Sequence, residues 1–304
     1  MKNYIRLLRT DHWIKNIFIL PGLIFSFFLG GKIPENFLHL FFLVLTSLFS
    51  ACSANYTINE WLDRESDKEH PEKKNRSSVK NNLNPLVVYF QYFVLVVLSL
   101  ITAYFSSKEI FYCISLLLIM GVIYNVKPLR FKDLPIFDVL SESVNNPIRF
   151  LIGWFLMNNI ILPPSAILVS YWFGGAFLMN CKRLSEFNKI KNLVDPSLYR
   201  KSFSFYSVNR LISLSLFYSS TSISLLMVFI TKYKMELILI LPVVTFLFSL
   251  YQSESLKINS HIDAPEKLYK NKKITLVTLI TTLLFILLFF IEIDFLKELL
   301  EIKS

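Results

Sequence analysis

Asn55-Tyr-Thr-Ile-Asn59-Glu60-Trp-Leu-Asp63-Arg-Glu-Ser-Asp67-Lys-Glu-His70-Pro71-Glu-Lys73-Lys74-Asn-Arg76 follows directly on an apolar run. Asn55, Asn59, Asp63 and Asp67 recur every four residues. On a helix each such step overshoots a full circle by only about 40°, so all four positions share one face. The competing reading is a solvated loop of mixed charge. The regular register, with Asn59 still against the apolar run, favours a site, because polar groups at membrane depth are usually functional. Asp63 and Asp67, with Asn59 one turn earlier, are able to share a Mg2+ and leave positions open for phosphate oxygens. A diphosphate is the natural second ligand, and a good leaving group once neutralised. Lys73, Lys74 and Arg76 supply positive charge next in the chain. The stretch therefore points to group transfer from a diphosphate donor at a membrane surface.

The surroundings are those of a membrane protein. The 304 residues are 54% apolar, with a mean hydropathy of +0.50. Apolar runs long enough to cross about 30 Å of hydrocarbon recur throughout. Nine spans are expected: 16–31, 37–59, 84–105, 109–125, 135–157, 160–181, 208–231, 235–252 and 273–293. The expected fold is all-α and polytopic, one integral-membrane domain over 1–304. The basic, amphipathic start reads as a retained interfacial segment and not as a signal peptide. Most of the 32 Lys and Arg residues fall in the N-terminus and in the loops after spans two, four, six and eight. The positive-inside rule then puts the N-terminus and these loops in the cytoplasm and, with nine spans, the C-terminus outside. The three cysteines and four histidines are scattered, so neither a disulfide framework nor a His/Cys metal centre is expected. Seven glycines exclude a Gly-rich nucleotide fold. No nucleic-acid motif is present, and no nucleic-acid partner is expected.

Three further constellations stand out. Span five carries Asp138, Glu142, Asn145 and Arg149 at spacings of one polar helical face. It reads as either a structural seam or, as we prefer, a cavity with Arg149 as its most telling member, since a charge facing lipid costs several kcal/mol. Lys182-Arg183-x-x-Glu186 closes span six. It suits a phosphate as well as it suits a helical salt bridge. Trp13-x-Lys15-Asn16 precedes span one and by itself reads as an interfacial anchor.

Asn59-Glu60-x-x-Asp63-x-x-x-Asp67 resembles the N-D-x-x-D-x-x-x-D motif of the UbiA superfamily of intramembrane prenyltransferases. The stretch from Tyr124 through Lys132 to Asp138 resembles its second motif. Within the superfamily the chain is most similar to the decaprenyl-phosphate phosphoribosyltransferase branch. Trp13-x-Lys15-Asn16, His70-Pro71-x-Lys73-x-x-Arg76, Asp138 to Arg149 and Lys182-Arg183-x-x-Glu186 carry that likeness. The resemblance implies nine helices around a central, lipid-open cavity. It implies Mg2+ held by Asn59, Glu60, Asp63 and Asp67, with Asp63 and Asp67 at the catalytic centre. Lys73, Arg76, Lys182 and Arg183 would grip the phosphates of phosphoribosyl diphosphate. Lys15, Asn16 and Arg149 would shape the pocket, and Lys132, Asp138 and Glu186 would join the substrate site. The acceptor would be a polyprenyl phosphate, for cell-envelope polysaccharide. Three features depart from the pattern: Glu60 replaces an aspartate, Ser-Ser-Val-Lys-Asn-Asn follows Arg76 without Pro or Gly, and Glu142 occupies an apolar position. The rival readings are prenyl transfer from a prenyl diphosphate, a carrier, and an inactive lipid-binding homologue.

Overall fold

The structure, a computed structural model, describes residues 2–68, 73–157, 161–191, 195–258, 260, 262 and 271–296. These residues form helices and connecting loops. The principal helices are α1 (Leu20–Phe28), α2 (Phe37–Asp67), α3 (Pro85–Tyr104), α4 (Lys108–Asn125), α5 (Phe137–Ser143), α6 (Asn145–Phe155), α7 (Ser165–Ile190), α8 (Val208–Tyr233), α9 (Leu241–Ser255) and α10 (Lys272–Phe290). Helix starts follow local chemistry. Asn84 accepts from the Leu86 amide at 2.9 Å and is followed by Pro85. Ser107 and Asn271 accept from Ile110 and Ile274, each at 3.2 Å. Each side chain satisfies one of the orphan amides of a first turn.

Among the described residues six helices are long and apolar enough to cross a membrane: α2, α3, α4, α8, Met235–Ser255 and α10. Large apolar side chains such as Leu86, Phe90, Phe93 and Ile101 on α3 remain exposed, as lipid-facing groups should. The other three expected spans are helical but different in kind, so nine uniform spans are not seen. Span one is a 3-10 helix (Thr10–Ile19) that passes into the nine residues of α1. Span six is the first part of α7, diluted by Ser, Gly, Tyr, Trp and Asn. Span five is broken. Pro147 lacks an amide donor, and its ring clashes with the carbonyl four residues earlier. That residue is Ser143, where α5 ends.

The chain forms two compact units, residues 1–163 with 190–207, and residues 164–189 with 208–304. In the first, α2 packs against α3 and α4, and α6 packs against α1 and α4. The approach of α1 to α6 depends on two glycines. A Cβ on Gly22 would stand 1.9 Å from the Phe150 carbonyl oxygen, and one on Gly153 2.0 Å from that of Ile19. Small residues let helix backbones meet where no water is present to drive them together. In the second unit, Ser170 and Ser222 exchange hydrogen bonds at 2.8 and 2.9 Å. Asn180 donates to the Leu211 carbonyl at 2.6 Å and Cys181 to Gln252 at 3.1 Å, joining α7 to α8 and α9.

Because the blocking atoms at Gly22 and Gly153 are backbone, neither clash can be relieved by a rotamer change. Gly153→Ala is expected to cost at least about 1–3 kcal/mol, read as a lower melting temperature of the detergent-purified protein. An unchanged melting temperature would contradict this packing.

Candidate functional site

Helix α2 has 31 residues, about 46 Å at 1.5 Å per residue, longer than the roughly 30 Å hydrocarbon layer. Its last turns therefore carry the polar stripe beyond the apolar zone. Asn55 donates to the Leu117 carbonyl on α4 at 3.0 Å. One turn on, Asn59 donates to Asn125 Oδ1 at 2.5 Å. Asn125 is itself held by the Gly121 carbonyl at 2.8 Å and accepts from Lys132 Nζ at 2.8 Å. A further turn on, Asp63 Oδ1 receives Lys132 at 2.5 Å and Arg130 at 3.0 Å. Arg130 also donates to Asp133 at 3.1 Å and to the Asn125 carbonyl at 3.2 Å. Its backbone is left-handed, with φ 29°, a strain these contacts sustain. Asp67 receives Arg76 NH1 at 2.6 Å. Lys73 bonds the Tyr199 hydroxyl and lies 4.6 Å from the centre of that ring.

One cavity is lined by Asp63, Ser66, Asp67, Lys73, Arg76, Arg130, Lys132, Asp133, Tyr199 and Arg200. Five cations thus face three carboxylates. Of the residues singled out in the sequence, Asp63, Asp67, Lys73, Arg76 and Lys132 meet here, and Asn59 joins them through Asn125. His70 and Pro71 lie outside the described residues.

The remaining candidates are not among the residues that line this cavity. Glu60 is buried and accepts from the Ser78 amide and hydroxyl at 3.3 and 3.2 Å. Asp138 is fully buried and accepts from Tyr206 at 2.6 Å and Ser202 at 3.1 Å, with Arg200 at 3.9 Å. It anchors the segment that brings Tyr199 and Arg200 to the cavity wall. Glu142 accepts from Tyr124 at 2.8 Å. Arg149 donates to Asn16 at 3.1 Å and to the Asn145 carbonyl at 3.3 Å, with Cys52 at 3.4 Å. Asp138 and Glu142 are linked through Arg200, which also donates to the Tyr124 hydroxyl at 3.5 Å. Lys15 lies 5.8 Å over the Tyr56 ring. In the second unit Arg183 is fully buried and pairs with Glu186 at 3.2 Å, and the half-buried Lys182 precedes it.

Arg130, Asp133, Tyr199 and Arg200 were not singled out as site residues. Arg130 and Asp133 flank Lys132, so the Arg-x-Lys-Asp run was their available signal. Tyr199 and Arg200 had none beyond their place in a long polar loop.

Burial pushes the Lys132 ammonium down to about 8, against the upward pull of Asp63. Burial acts downward on Arg76 too, but Asp67 and then Glu60 hold it above its ordinary value. Two carboxylates one turn apart, each with one oxygen bound by no described residue (Asp63 Oδ2 and Asp67 Oδ1), fit a hard cation such as Mg2+. No cluster of three or more His, Cys, Asp or Glu occurs among the described residues.

Several comparisons match this architecture. A curated relative, the nodulation protein NoeC of Azorhizobium caulinodans, is 26% identical over 220 residues, 71% of this chain and 68% of the relative. A UbiA homologue from Archaeoglobus fulgidus, solved with GPP and Mg2+, is 22% identical with a TM-score of 0.72, over 95% of this chain and 98% of that one. Its complex with DMAPP and Mg2+ gives 0.71. A digeranylgeranylglyceryl phosphate synthase structure is 14% identical with a TM-score of 0.63, over 95% and 96% of the two chains. These structures share the fold.

The Lys132 shift has a definite sign. An unfolded chain holds this proton to about 10.5, the folded one only to about 8, so between these values the unfolded state binds more protons. Stability should therefore rise with pH across that window. The wild type is expected to gain melting temperature relative to Lys132→Met from pH 8 to 10, and parallel profiles would refute the depressed amine.

The model of the UbiA prenyltransferase family matches residues 18–277, and with most of its length accounted for in this way the chain belongs to that family of multi-pass membrane transferases.

Proposed function

We propose that the protein transfers a 5-phosphoribosyl group from phosphoribosyl diphosphate to a polyprenyl phosphate, with Mg2+, on the cytoplasmic side of the membrane. The observation that carries this reading is the excess of cations in the cavity. Lys73, Arg76, Arg130, Lys132 and Arg200 line it against Asp63, Asp67 and Asp133, which leaves two cations beyond those the carboxylates balance, before any metal is added. A donor with a diphosphate and a separate monophosphate accounts for it. Lys182-Arg183-x-x-Glu186, standing where prenyl-diphosphate users usually carry a second aspartate-rich motif, supports the same donor. The cytoplasmic placement rests on the Lys/Arg bias of the long loops.

Asp63 and Asp67, with Asn59 one turn earlier on the same stripe, would hold Mg2+. The bound ion would neutralise charge that builds on the departing diphosphate. Lys132 and Arg130 at the Asp63 end, and Arg76 and Lys73 at the Asp67 end, hold the phosphates and fix the donor's orientation. A lipid phosphate oxygen then bonds to the anomeric carbon as the bond from that carbon to the diphosphate oxygen breaks, and diphosphate leaves. Alignment and charge neutralisation supply the rate, with no covalent enzyme intermediate.

A second reading has specific support. The Archaeoglobus fulgidus homologue was solved with GPP and with DMAPP, which favours a prenyl diphosphate donor transferred to an aromatic or other acceptor. The two donors separate in one assay, with purified protein, Mg2+, polyprenyl phosphate and each donor in turn. Diphosphate release and a phosphoribosylated lipid are expected with phosphoribosyl diphosphate. Release with the prenyl donor alone would replace the first reading by the second. Asp63→Asn with Asp67→Asn is expected to lower turnover by roughly 10²–10³-fold or more at unchanged expression, and full turnover would remove both carboxylates from the metal assignment.

A further inference from the structure

Glu60 is next to Asn59, about 100° round α2 from it but only about 20° from Asp67, which lies two turns or about 10 Å further along the helix. It is 4% exposed and is not part of the cavity lining. Its Oε1 accepts from both the backbone amide and the hydroxyl of Ser78, at 3.3 and 3.2 Å. Ser78, also 4% exposed, sits in a helical turn over Ser77–Lys80. Arg76, whose NH1 meets Asp67 at 2.6 Å, immediately precedes that turn. The turn is tied from a second side as well. Ser77 Oγ donates to the Asn3 carbonyl at 2.9 Å, and the Asn3 amide donates to Asn81 Oδ1 at 3.1 Å. Arg76 and Arg9 lie close enough to feel the charge of Glu60, which offsets the cost of burying a carboxylate. An aspartate here would reach about 1.5 Å less, one carbon–carbon bond, and would fall short of Ser78.

We propose that Glu60 is a positioning residue and not a metal ligand: its carboxylate latches the Ser77–Lys80 turn to α2 and so fixes Arg76 beside Asp67. The longer side chain and the Ser-Ser sequence after Arg76, two departures from the family pattern, are then halves of one device. Its consequence for donor binding rests on the function proposed above, whereas the latch itself does not.

The test uses detergent-purified full-length protein as wild type, Glu60→Asp, Glu60→Gln, Ser78→Ala and the Glu60→Asp/Ser78→Ala double variant. Three quantities are measured: amide hydrogen exchange in 77–81 without ligand, binding of inorganic diphosphate at saturating Mg2+, and the Mg2+ concentration for half-maximal diphosphate binding. Glu60→Asp is expected to speed exchange in 77–81 and weaken diphosphate binding, each by about tenfold, the scale of a lost hydrogen bond to a charged group. Its Mg2+ requirement should stay that of the wild type. Glu60→Gln keeps the reach and an acceptor oxygen, so it should retain most of the exchange protection. Ser78→Ala should speed exchange less, and the double variant should be little worse than Glu60→Asp, since both act on one contact. Unchanged exchange in both Glu60→Asp and Ser78→Ala would overturn the latch. So would a Glu60→Gln variant that needs about tenfold more Mg2+ at unchanged exchange, the result for a metal ligand that has lost its charge. Failure of the wild type to bind diphosphate would count against the donor reading, while the exchange measurements still decide the latch.

Discussion

One oxygen of Asp63 receives both Lys132 and Arg130. A carboxylate this close to the apolar zone has to be paired, because a buried charge without a partner costs several kcal/mol. The pairing fixes more than two side chains. It sets the end of α2 against the 126–134 loop, and Asn125 repeats the constraint by taking Asn59 from one side and Lys132 from the other. The path through Asn59, Asn125, Lys132 and Asp63 thus holds helix α2, the end of α4 and the loop in a single arrangement. A cavity wall built this way keeps its charges in place before any substrate arrives, which electrostatic catalysis needs.

The other walls are held by groups that never reach the cavity. Asp138 is buried beneath Tyr206 and Ser202, and through them it orders the segment bearing Tyr199 and Arg200. Glu60 holds the turn that follows Arg76. Two carboxylates with the look of catalytic residues thus serve as internal anchors, and two others, Asp63 and Asp67, face the opening. This division of labour follows from position along the helix and from partners: Glu60 lies two turns, about 10 Å, before Asp67, and its Oε1 is taken by Ser78.

The stripe, the membrane character and the all-helical architecture were legible in the sequence because each depends on local periodicity. Four-residue spacing keeps Asn59, Asp63 and Asp67 on one face whatever packs around them, and apolar length decides which segments can lie in hydrocarbon. The uniformity of the spans was not legible to the same degree. Pro147 interrupts span five after Ser143, so that it is two short helices joined at Val144 and not one straight span. The role of Glu60 was not legible, since helical angle places it within about 20° of Asp67 and its partner is 18 residues away.

By itself the sequence determined which residues carry the acid stripe, which segments are apolar, and that bases follow the acids. Tertiary structure alone decided which of the many cations reach those acids. Lys132 and Arg130 approach Asp63 from 69 and 67 residues away, and Tyr199 meets Lys73 across 126. No periodicity encodes such meetings. They arise because buried charges and amides must find partners, and the available partners are set by how the helices pack.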